Sequence, residues 1–273
     1  NGGNWDSKIE KPTKITETKF DPRLVNDKIT KIACGRYHTM FLTSSGKVYG
    51  CGLTTFLVNS SSIVENPTEI TETNFNPQLD SDDKITQIAC CGDHTMFLTS
   101  EGNVYGCGDN EYYQVNSSGG TITRPTEITN INDKITQIAC GFDHTMFLTS
   151  EGKVYGSGRN DYNQVSEISE SGNKVINKKK IDIYNEKIEN KPTFFASNVK
   201  KILADNDFIY YVTNNNDIYK NYDLILRNST FKDININDHK IYILNDINRL
   251  NDVDTTNFVH IIPSSTIVEP QPI

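Results

Sequence analysis

Residues 138–158 read IACGFDHTMFLTSEGKVYGSG, and this stretch recurs twice more in the 273-residue chain with few changes. Residues 32–52 read IACGRYHTMFLTSSGKVYGCG, and residues 88–108 read IACCGDHTMFLTSEGNVYGCG. The copies follow one another at intervals of about fifty residues, a period that indicates stacked or radial repeats. Their shared histidines are therefore predicted to be structural residues first: His38, His94 and His144.

Each copy predicts the same order of short strands. An apolar strand leads into a loop that ends at the histidine, and a second strand, HTMFLT, follows it. A tight turn then places glycine where a hairpin needs a positive φ: Gly46, Gly102 and Gly152. A Pro-Thr step precedes each copy, at Pro12, Pro67 and Pro125, and proline favours an outer edge strand or a strand's first residue. Each unit, read as starting at its Pro-Thr step, is thus predicted to have four strands.

The repeat continues in a degenerate form after the third copy. Phe208 and Asn216 take the histidine and glycine positions of a fourth unit, and Lys240 and Asn248 take those of a fifth. Asparagine tolerates the left-handed conformation, so the fourth turn is expected to survive. We expect one domain over residues 1–273, with clear repeats at 28–165, an insertion at 166–190, degenerate repeats at 192–251 and a tail at 252–273.

Units of four short strands leave two sheet edges each, and radial packing around an axis protects those edges. The sequence therefore predicts an all-β fold, a β-propeller of four-stranded blades with about five to seven blades, some of them degenerate. A β-solenoid is the structural alternative, although its repeats are usually shorter.

The pattern I-A-C-G-x-x-H-T-x-x-L-T-x-x-G-x-V-Y-x-x-G resembles the repeat of the regulator of chromosome condensation family. The resemblance is specific over residues 28–165 and weaker, though in register, over 192–251. It implies a β-propeller, typically of seven blades, of which five repeat cores are found here. The chain departs from the family where tryptophan is usual: Cys51, Cys107 and Ser157.

The net charge and the absence of long apolar runs give no reason to expect nucleic acids or membranes as partners. The net charge of −8 gives no reason to expect general binding to nucleic acid phosphates. No apolar run is long enough to cross a bilayer and no signal segment is seen, so no membrane partner is expected. The opening NGGNW resembles the tail of an earlier repeat, which suggests that the true N-terminus is missing.

The six cysteines are predicted to be small, buried and reduced. Five of them share repeat positions, and none forms a close pair with zinc-site spacing. An intracellular protein, cytoplasmic or nuclear, in a reducing compartment is therefore expected. Heavy use of Asn, Ile, Lys and Thr suggests an A/T-rich genome, so a viral particle is the alternative localisation if the source is a large DNA virus.

No catalytic constellation, cofactor or metal site is predicted. The chain has no Gly-x-Ser-x-Gly motif, no phosphate-binding loop and no paired-histidine spacing. A ring formed by the three repeat histidines is the functional alternative, but equivalent positions in neighbouring blades fan apart around an axis. Buried histidines that hydrogen-bond to backbone within each blade are therefore favoured, and the protein is predicted not to be an enzyme.

The two residues before each histidine vary within an otherwise constant motif, which is typical of a solvent-facing loop. Five of these six residues are candidates for binding a protein partner: Arg36, Tyr37, Asp93, Phe142 and Asp143. The family's founding member exchanges nucleotide on the small GTPase Ran, and the resemblance maps acidic residues of its Ran-binding face onto Asp93 and Asp143. The alternative is that both are simple loop aspartates.

The 166–190 insertion contains Lys178, Lys179 and Lys180, which are further candidates for binding a partner. A long insertion on a rigid scaffold is often functional, as a wedge or an arm, but a solvated loop is an equal alternative.

Three functional hypotheses follow. The first is a non-enzymatic scaffold propeller that presents loops to a protein partner, and the second is a guanine-nucleotide exchange factor for a Ran-like GTPase. The third is a structural subunit of a larger assembly, such as a viral or nucleic-acid-associated complex. Its sheet edges would pair with copies of itself or with other chains.

Overall fold

The computed structural model describes residues 11, 13–53, 63–129, 131–160, 165, 193–221, 223–227, 233–237, 240–244 and 259–263. This part of the chain forms antiparallel β-sheets joined by loops and by two short 3-10 turns, at Glu17–Lys19 and Glu72–Asn74. No helix within it is long and apolar enough to cross a membrane. We call each sheet a blade.

The three clear repeats each form a four-stranded blade. Blade 1 contains β1 (Ile29–Cys34), β2 (His38–Thr43), β3 (Val48–Leu53) and β4 (Ile63–Ile70). Blade 2 contains β5 (Ile85–Cys91), β6 (His94–Thr99), β7 (Val104–Gly108) and β8 (Ile122–Glu127). Blade 3 contains β9 (Ile135–Cys140), β10 (His144–Thr149), β11 (Val154–Gly158) and β12 (Thr193–Ala196).

The degenerate repeats form two further blades. Blade 4 contains β13 (Val199–Ala204), β14 (Ile209–Thr213), β15 (Ile218–Lys220) and β16 (Asp223–Leu226). Blade 5 has three strands within the described residues, β17 (Asp233–Asn237), β18 (Lys240–Leu244) and β19 (Val259–Pro263). Within every blade the strands pair in sequence order, and the first strands of consecutive blades lie beside one another. This is the blade arrangement of a β-propeller, as the sequence predicts.

The Pro-Thr segments lie on the outermost strand of a blade, where proline is expected because it has no ladder donor. Pro67 lies in β4 and Pro125 in β8. Each of these strands pairs with the third strand of the repeat before it, however, and β12, which begins at Thr193, likewise pairs with β11. The expectation that a Pro-Thr step starts the following unit is therefore wrong, because the segment completes the preceding sheet.

The second strand of each blade packs on both neighbouring blades, because alternate side chains of a strand face opposite sides. Met40 and Leu42 form one core with Ile88 and Phe97 of blade 2. Phe97 lies between Met96 and Leu98, which pack instead into the core shared with blade 3. We call the side of a blade that meets the preceding blade its N-side face and the opposite side its C-side face.

A one-residue irregularity interrupts the first strand of each of the first four blades. In blade 2 it falls at Thr86, whose hydroxyl donates to the carbonyl of Leu98 at 3.2 Å. A β-bulge of this kind changes which side a residue faces. Ile85 and Ile88, three positions apart, consequently both pack into the core shared with blade 1.

The turn glycines adopt the conformation that the hairpin pattern predicts. Gly46, Gly102 and Gly152 have φ values of 89°, 92° and 76°, and Asn216 of blade 4 has a φ of 63°. In blade 5, Lys240 begins β18 just as the histidines begin β2, β6 and β10. Asn248 and the whole 166–190 insertion lie outside the described residues.

Candidate functional site

The repeat histidines connect neighbouring blades. His38 Nε2 lies 2.7 Å from the Thr95 hydroxyl of blade 2, and His94 Nε2 lies 3.0 Å from the Thr145 hydroxyl of blade 3. These threonines belong to the same HTMFLT motif, one position after the histidine of their own blade. The histidine thus bonds to a side chain of the next blade, where we expected backbone of its own blade.

The hydrogen bond to Thr145 defines which ring nitrogen of His94 carries the proton. The Thr145 hydroxyl donates to the carbonyl of Gln114 at 2.7 Å, so it accepts from His94 Nε2, which carries the proton. Burial, with help from the neighbouring His144 and His38, lowers the pKa of His94 to about 3. Burial also lowers the pKa of His38 and that of His144 to about 4. All three rings are therefore neutral at pH 7.

His144 differs from the other two histidines. It is fully buried, but blade 4 has Ile209 where the earlier blades have threonine. Neither ring nitrogen of His144 has a side-chain hydrogen-bond partner among the described residues, and the backbone of Phe208 is the polar group beside the ring. Nor does the described part of the chain contain a cluster of His, Cys, Asp or Glu side chains suited to a metal ion.

A glycine at the end of the third strand holds the loop before each histidine in place. A Cβ on Gly52, Gly108 or Gly158 would lie 2.3 Å from the carbonyl oxygen of Tyr37, Asp93 or Asp143, respectively. No other residue allows so close an approach, and all three glycines have a positive φ. Because the repeat fixes this backbone, the variable side chains of the loops are held at corresponding places in each blade.

The loops of consecutive blades contact one another and form a continuous surface. The Arg36 amide donates to the Gly92 carbonyl at 2.7 Å, and the Phe142 amide donates to the Asn206 carbonyl at 3.0 Å. We call the surface formed by residues 35–37, 92–93, 141–143 and 205–208 the loop face. The turn glycines lie at the opposite end of the blades, beyond the second strand.

Arg36 lies beside three of the other predicted residues on the loop face. Its guanidinium carbon lies 4.8 Å from the ring centre of Tyr37 and 5.9 Å from that of Phe142. One guanidinium nitrogen lies 3.9 Å from a carboxylate oxygen of Asp93. Asp143 lies in the same loop as Phe142 and faces a different arginine, Arg159, at 3.5 Å. Lys178, Lys179 and Lys180 lie outside the described residues.

Together with the adjoining Asp109 and Arg159, the loop face carries more carboxylates than its two arginines, Arg36 and Arg159, can balance. Burial raises the pKa of Asp143, Arg159 opposes this, and Asp109 and Asp93 raise the pKa further. Burial also raises the pKa of Asp93, against Arg36 and with Asp109. The carboxylates of Asp93, Asp109 and Asp143 thus repel one another, which favours a positively charged group on whatever binds there.

Sequence reasoning missed Asp109, Arg159 and Tyr112. The Arg159 guanidinium lies 5.5 Å from the Tyr112 ring centre as well as beside Asp143. Asp109 and Arg159 each directly follow the Gly-x-Gly that ends the third strand. Their variation at that fixed position, like the variation before the histidine, was the signal that could have identified them.

Two family models match the repeats. Both describe the regulator of chromosome condensation (RCC1) repeat, and they match residues 29–56, 85–114 and 135–164 in one case and 101–148 in the other. The first model therefore matches the first three strands of each of blades 1 to 3.

Curated relatives resemble part of the chain. A human RCC1-like G exchanging factor-like protein is 32% identical over 81 residues, which are 30% of this chain and 18% of that protein. The RCC2 homolog of Xenopus laevis is 33% identical over 121 residues, 42% of this chain and 22% of that protein. The chain thus matches about a fifth of the length of these relatives.

Solved structures share the fold over most of the chain. Human WBSCR16 has a TM-score of 0.62 at 18% identity and covers 88% of this chain, which in turn covers 68% of WBSCR16. Prp20p of Saccharomyces cerevisiae, studied for its binding to Gsp1p and histones, has a TM-score of 0.61 at 22% identity, covering 80% of this chain and 55% of Prp20p. These likenesses and the blades described above show a β-propeller fold, and the family matches show that blades 1 to 3 contain RCC1-like repeats.

Proposed function

We propose that the chain is a non-enzymatic interaction propeller that binds a protein partner through its loop face. The observation that carries the proposal is the joining of variable side chains from successive loops into one surface on an otherwise constant scaffold. Arg36, Tyr37, Asp93 and Phe142 come from three different blades and still lie within one cluster. Variation at positions held by a rigid framework is typical of binding loops.

The chemistry of the cluster suits a protein partner. Tyr37 is an exposed aromatic residue, and half of the Arg36 side chain is accessible. Tyrosine and arginine are the residue types that most often dominate binding energy at protein interfaces. The excess carboxylates beside them favour a basic patch on the partner.

Affinity purification with a matched pair of variants tests the proposal. Arg36→Ala combined with Tyr37→Ala removes the centre of the loop face, and Glu101→Ala removes an exposed charge in the β6–β7 turn at the other end of blade 2. A partner of the loop face is lost by the first variant and retained by the second. Equal retention by both variants would contradict the proposal, provided that both melt at the wild-type temperature.

Guanine-nucleotide exchange on a small GTPase is a second candidate function. It is favoured by the human relative named as an RCC1-like G exchanging factor-like protein and by the position of Asp93 and Asp143 on the loop face. Exchange requires no covalent step from the propeller, only displacement of the GTPase's contacts to phosphate and magnesium. Release of labelled GDP from Ran would then accelerate with wild-type protein but not with Asp93→Ala or Asp143→Ala. No acceleration by the wild type would exclude Ran, and the scaffold proposal would stand.

A further inference from the structure

The outer edges of blades 1 and 2 are covered by segments of the chain itself. An outermost strand has backbone N–H and C=O groups that pair with no strand of its own sheet. In blade 2, the Asn76 amide donates to the Pro125 carbonyl at 2.7 Å, and the Glu127 amide donates to the Asn76 carbonyl at 2.9 Å. Asp21 pairs with Thr68 of blade 1 in the same parallel arrangement. Each edge is thus closed by one extended residue from the linker that precedes the blade's own first strand.

The two covering segments have nearly the same sequence. Residues 15–24 read ITETKFDPRL, and residues 70–79 read ITETNFNPQL. In both, the residue that pairs with the edge is an Asp or Asn that stands between a phenylalanine and a proline. The common pattern Phe-Asx-Pro therefore describes the kind of segment that closes an outer edge in this molecule.

The phenylalanine anchors the covering segment in its blade. Phe75 packs edge-on against Phe97 at a ring-centre distance of 5.3 Å and against Tyr105 at 5.2 Å. These two rings stand opposite each other on the second and third strands of blade 2. Phe20 makes the same pair of edge-on contacts in blade 1. The aromatic ring thus supplies apolar contact, and the residue after it supplies backbone hydrogen bonds.

Blade 3 has no such covering segment within the described residues. The linker before its first strand, residues 129–134, is eight residues shorter than residues 71–84 and contains neither an aromatic residue nor a proline. β12 is the outermost strand of the sheet, and its described backbone forms no bridge to a segment outside the sheet. By the register of the third and fourth strands, Phe194 takes the place of Glu127, whose amide faces outward. The Phe194 amide therefore lies on an edge of blade 3 that is closed in blades 1 and 2.

The ring pair that contacts the covering phenylalanine is also present in blade 3. Phe147 and Tyr155 stand opposite each other on β10 and β11, as their counterparts do in blade 2. Phe147 is fully buried, so the accessible surface of the pair belongs to Tyr155. The Tyr155 hydroxyl donates to Asp133 at 3.0 Å, and the residue is partly exposed, whereas Tyr105 is 4% exposed. Tyr155 thus offers a surface that is covered in blade 2.

Blade 4 differs from blade 3 in this respect. Its fourth strand, β16, is likewise the outermost strand of its sheet. Its ring pair, Tyr211 and Tyr219, stacks face to face at a ring-centre distance of 4.9 Å and an interplanar angle of 4°. This stacking takes the place of the edge-on contacts that Phe75 makes in blade 2. Blade 3 is therefore better suited than blade 4 to receive an aromatic segment.

We propose that the outer edge of blade 3 binds an extended Phe-Asx-Pro segment of a protein partner by strand addition. This surface is separate from the loop face and does not depend on its function. The Asx residue pairs in parallel with β12 and accepts from the Phe194 amide, as Asn76 does from Glu127, and the phenylalanine contacts Tyr155. In strand addition, main-chain hydrogen bonds supply affinity and side-chain contacts supply specificity. The two segments that close the same edge of blades 1 and 2 identify the chemistry of the occupant.

A synthetic peptide tests the proposal on the full chain. Residues 70–79 are made as a fluorescein-labelled peptide, ITETNFNPQL, and its binding is followed by fluorescence anisotropy. The wild-type chain is expected to bind it, and Phe75→Ala in the peptide is expected to weaken binding by about tenfold, because the ring contact is lost. No binding of the unmodified peptide would overturn the proposal, and so would equal binding of the two peptides.

Matched variants of the chain locate the binding site. Phe194→Pro removes the outward N–H of β12, whereas Phe194→Ala removes the aromatic side chain and keeps that N–H. Proline is tolerated on an outer edge, and equal melting temperatures of the two variants check that both fold. The peptide is expected to bind Phe194→Pro about tenfold more weakly than Phe194→Ala, because one backbone hydrogen bond is lost. Equal affinities would overturn strand addition at this edge.

A modified peptide gives the same comparison without altering the chain. Methylation of the peptide nitrogen at the position of Asn76 removes the N–H that donates across the edge in blade 2. This peptide is expected to bind the wild-type chain about tenfold more weakly than the unmodified one. An unchanged affinity would overturn the proposal even if Phe194→Pro fails to fold.

Discussion

The interface between blades 2 and 3 and the interface between blades 3 and 4 have the same architecture but different polar contacts. Both contain a methionine and a leucine inserted into the next blade and a glutamine bonded to the next first strand. Only the first contains a histidine–threonine bond, since Ile209 replaces the threonine in blade 4. Apolar packing and the glutamine contact therefore suffice to place a blade, and the histidine bond adds to them.

Acid produces the largest effect that we expect, because it acts on all three buried histidines whether or not they have a threonine partner. Their pKa values lie near 3 to 4 in the folded chain and near 6.5 when unfolded. Below pH 6.5 the unfolded chain therefore binds protons that the folded chain does not, and stability falls until the folded pKa is reached.

Urea unfolding at pH values between 6.5 and 5 measures this loss. Each histidine contributes a slope of roughly 1 kcal/mol per pH unit below its unfolded pKa. His144→Phe, which copies Phe208 of blade 4, removes about a third of the slope. A wild-type stability that is independent of pH in this range would contradict the burial of neutral histidines.

Truncation of the inserted methionines tests whether the two interfaces share the same apolar packing. Met96 and Met146 are both fully buried in the next blade's core. Met96→Ala and Met146→Ala are each expected to lower the free energy of unfolding by about 2–5 kcal/mol. Chemical denaturation compares them directly, and a much smaller cost at Met146 would show that the interface to blade 4 is looser than the structure indicates.

The glutamine contact gives the next effect in size. Gln87→Ala leaves the backbone N–H and carbonyl of Ile138 without their side-chain partner, and Gln137→Ala does the same to those of Ile202. Each is expected to cost about 1–3 kcal/mol. Lys31→Ala is the control, because Lys31 occupies the same repeat position on the first blade and is exposed. If a glutamine variant lowers the free energy of unfolding no more than Lys31→Ala does, the glutamine contact does not stabilise the interface.

The smallest effect is the difference between two histidine variants. His94→Ala and His144→Ala remove similar volumes, but only the first also removes a hydrogen bond to a threonine hydroxyl. His94→Ala is therefore expected to cost about 1 kcal/mol more than His144→Ala. Equal midpoints in thermal and urea unfolding would show that the bond contributes nothing.

Features within one repeat were predictable from the sequence, and contacts between repeats largely were not. The turn glycines and the left-handed Asn216 follow from local backbone chemistry. The continuous apolar run Met-Phe-Leu within HTMFLT is typical of a strand buried on two sides. Gln87 and Ile138, by contrast, are 51 positions apart in the chain, and nothing local to Gln87 distinguishes it from an exposed strand residue.

The β-bulge and the outer strand illustrate the same limit. Thr86 looks like an ordinary strand residue, and its bond to the Leu98 carbonyl depends on strand register. The Pro-Thr segment has the composition of an edge strand, but which sheet it completes is decided by its pairing with the third strand. On the loop face, variation before the histidine identified Asp93 and Asp143, while Asp109 and Arg159 emerged only from their proximity to these residues.

The central claim is that the repeated histidine joins neighbouring blades. A double-mutant cycle on His94→Ala and Thr145→Val measures the coupling between the two side chains directly. We predict a coupling of about 1 kcal/mol, with a similar value for His38 and Thr95, whose side chains lie 2.7 Å apart. A coupling indistinguishable from zero at both pairs would contradict the claim, because the histidines would then not join neighbouring blades.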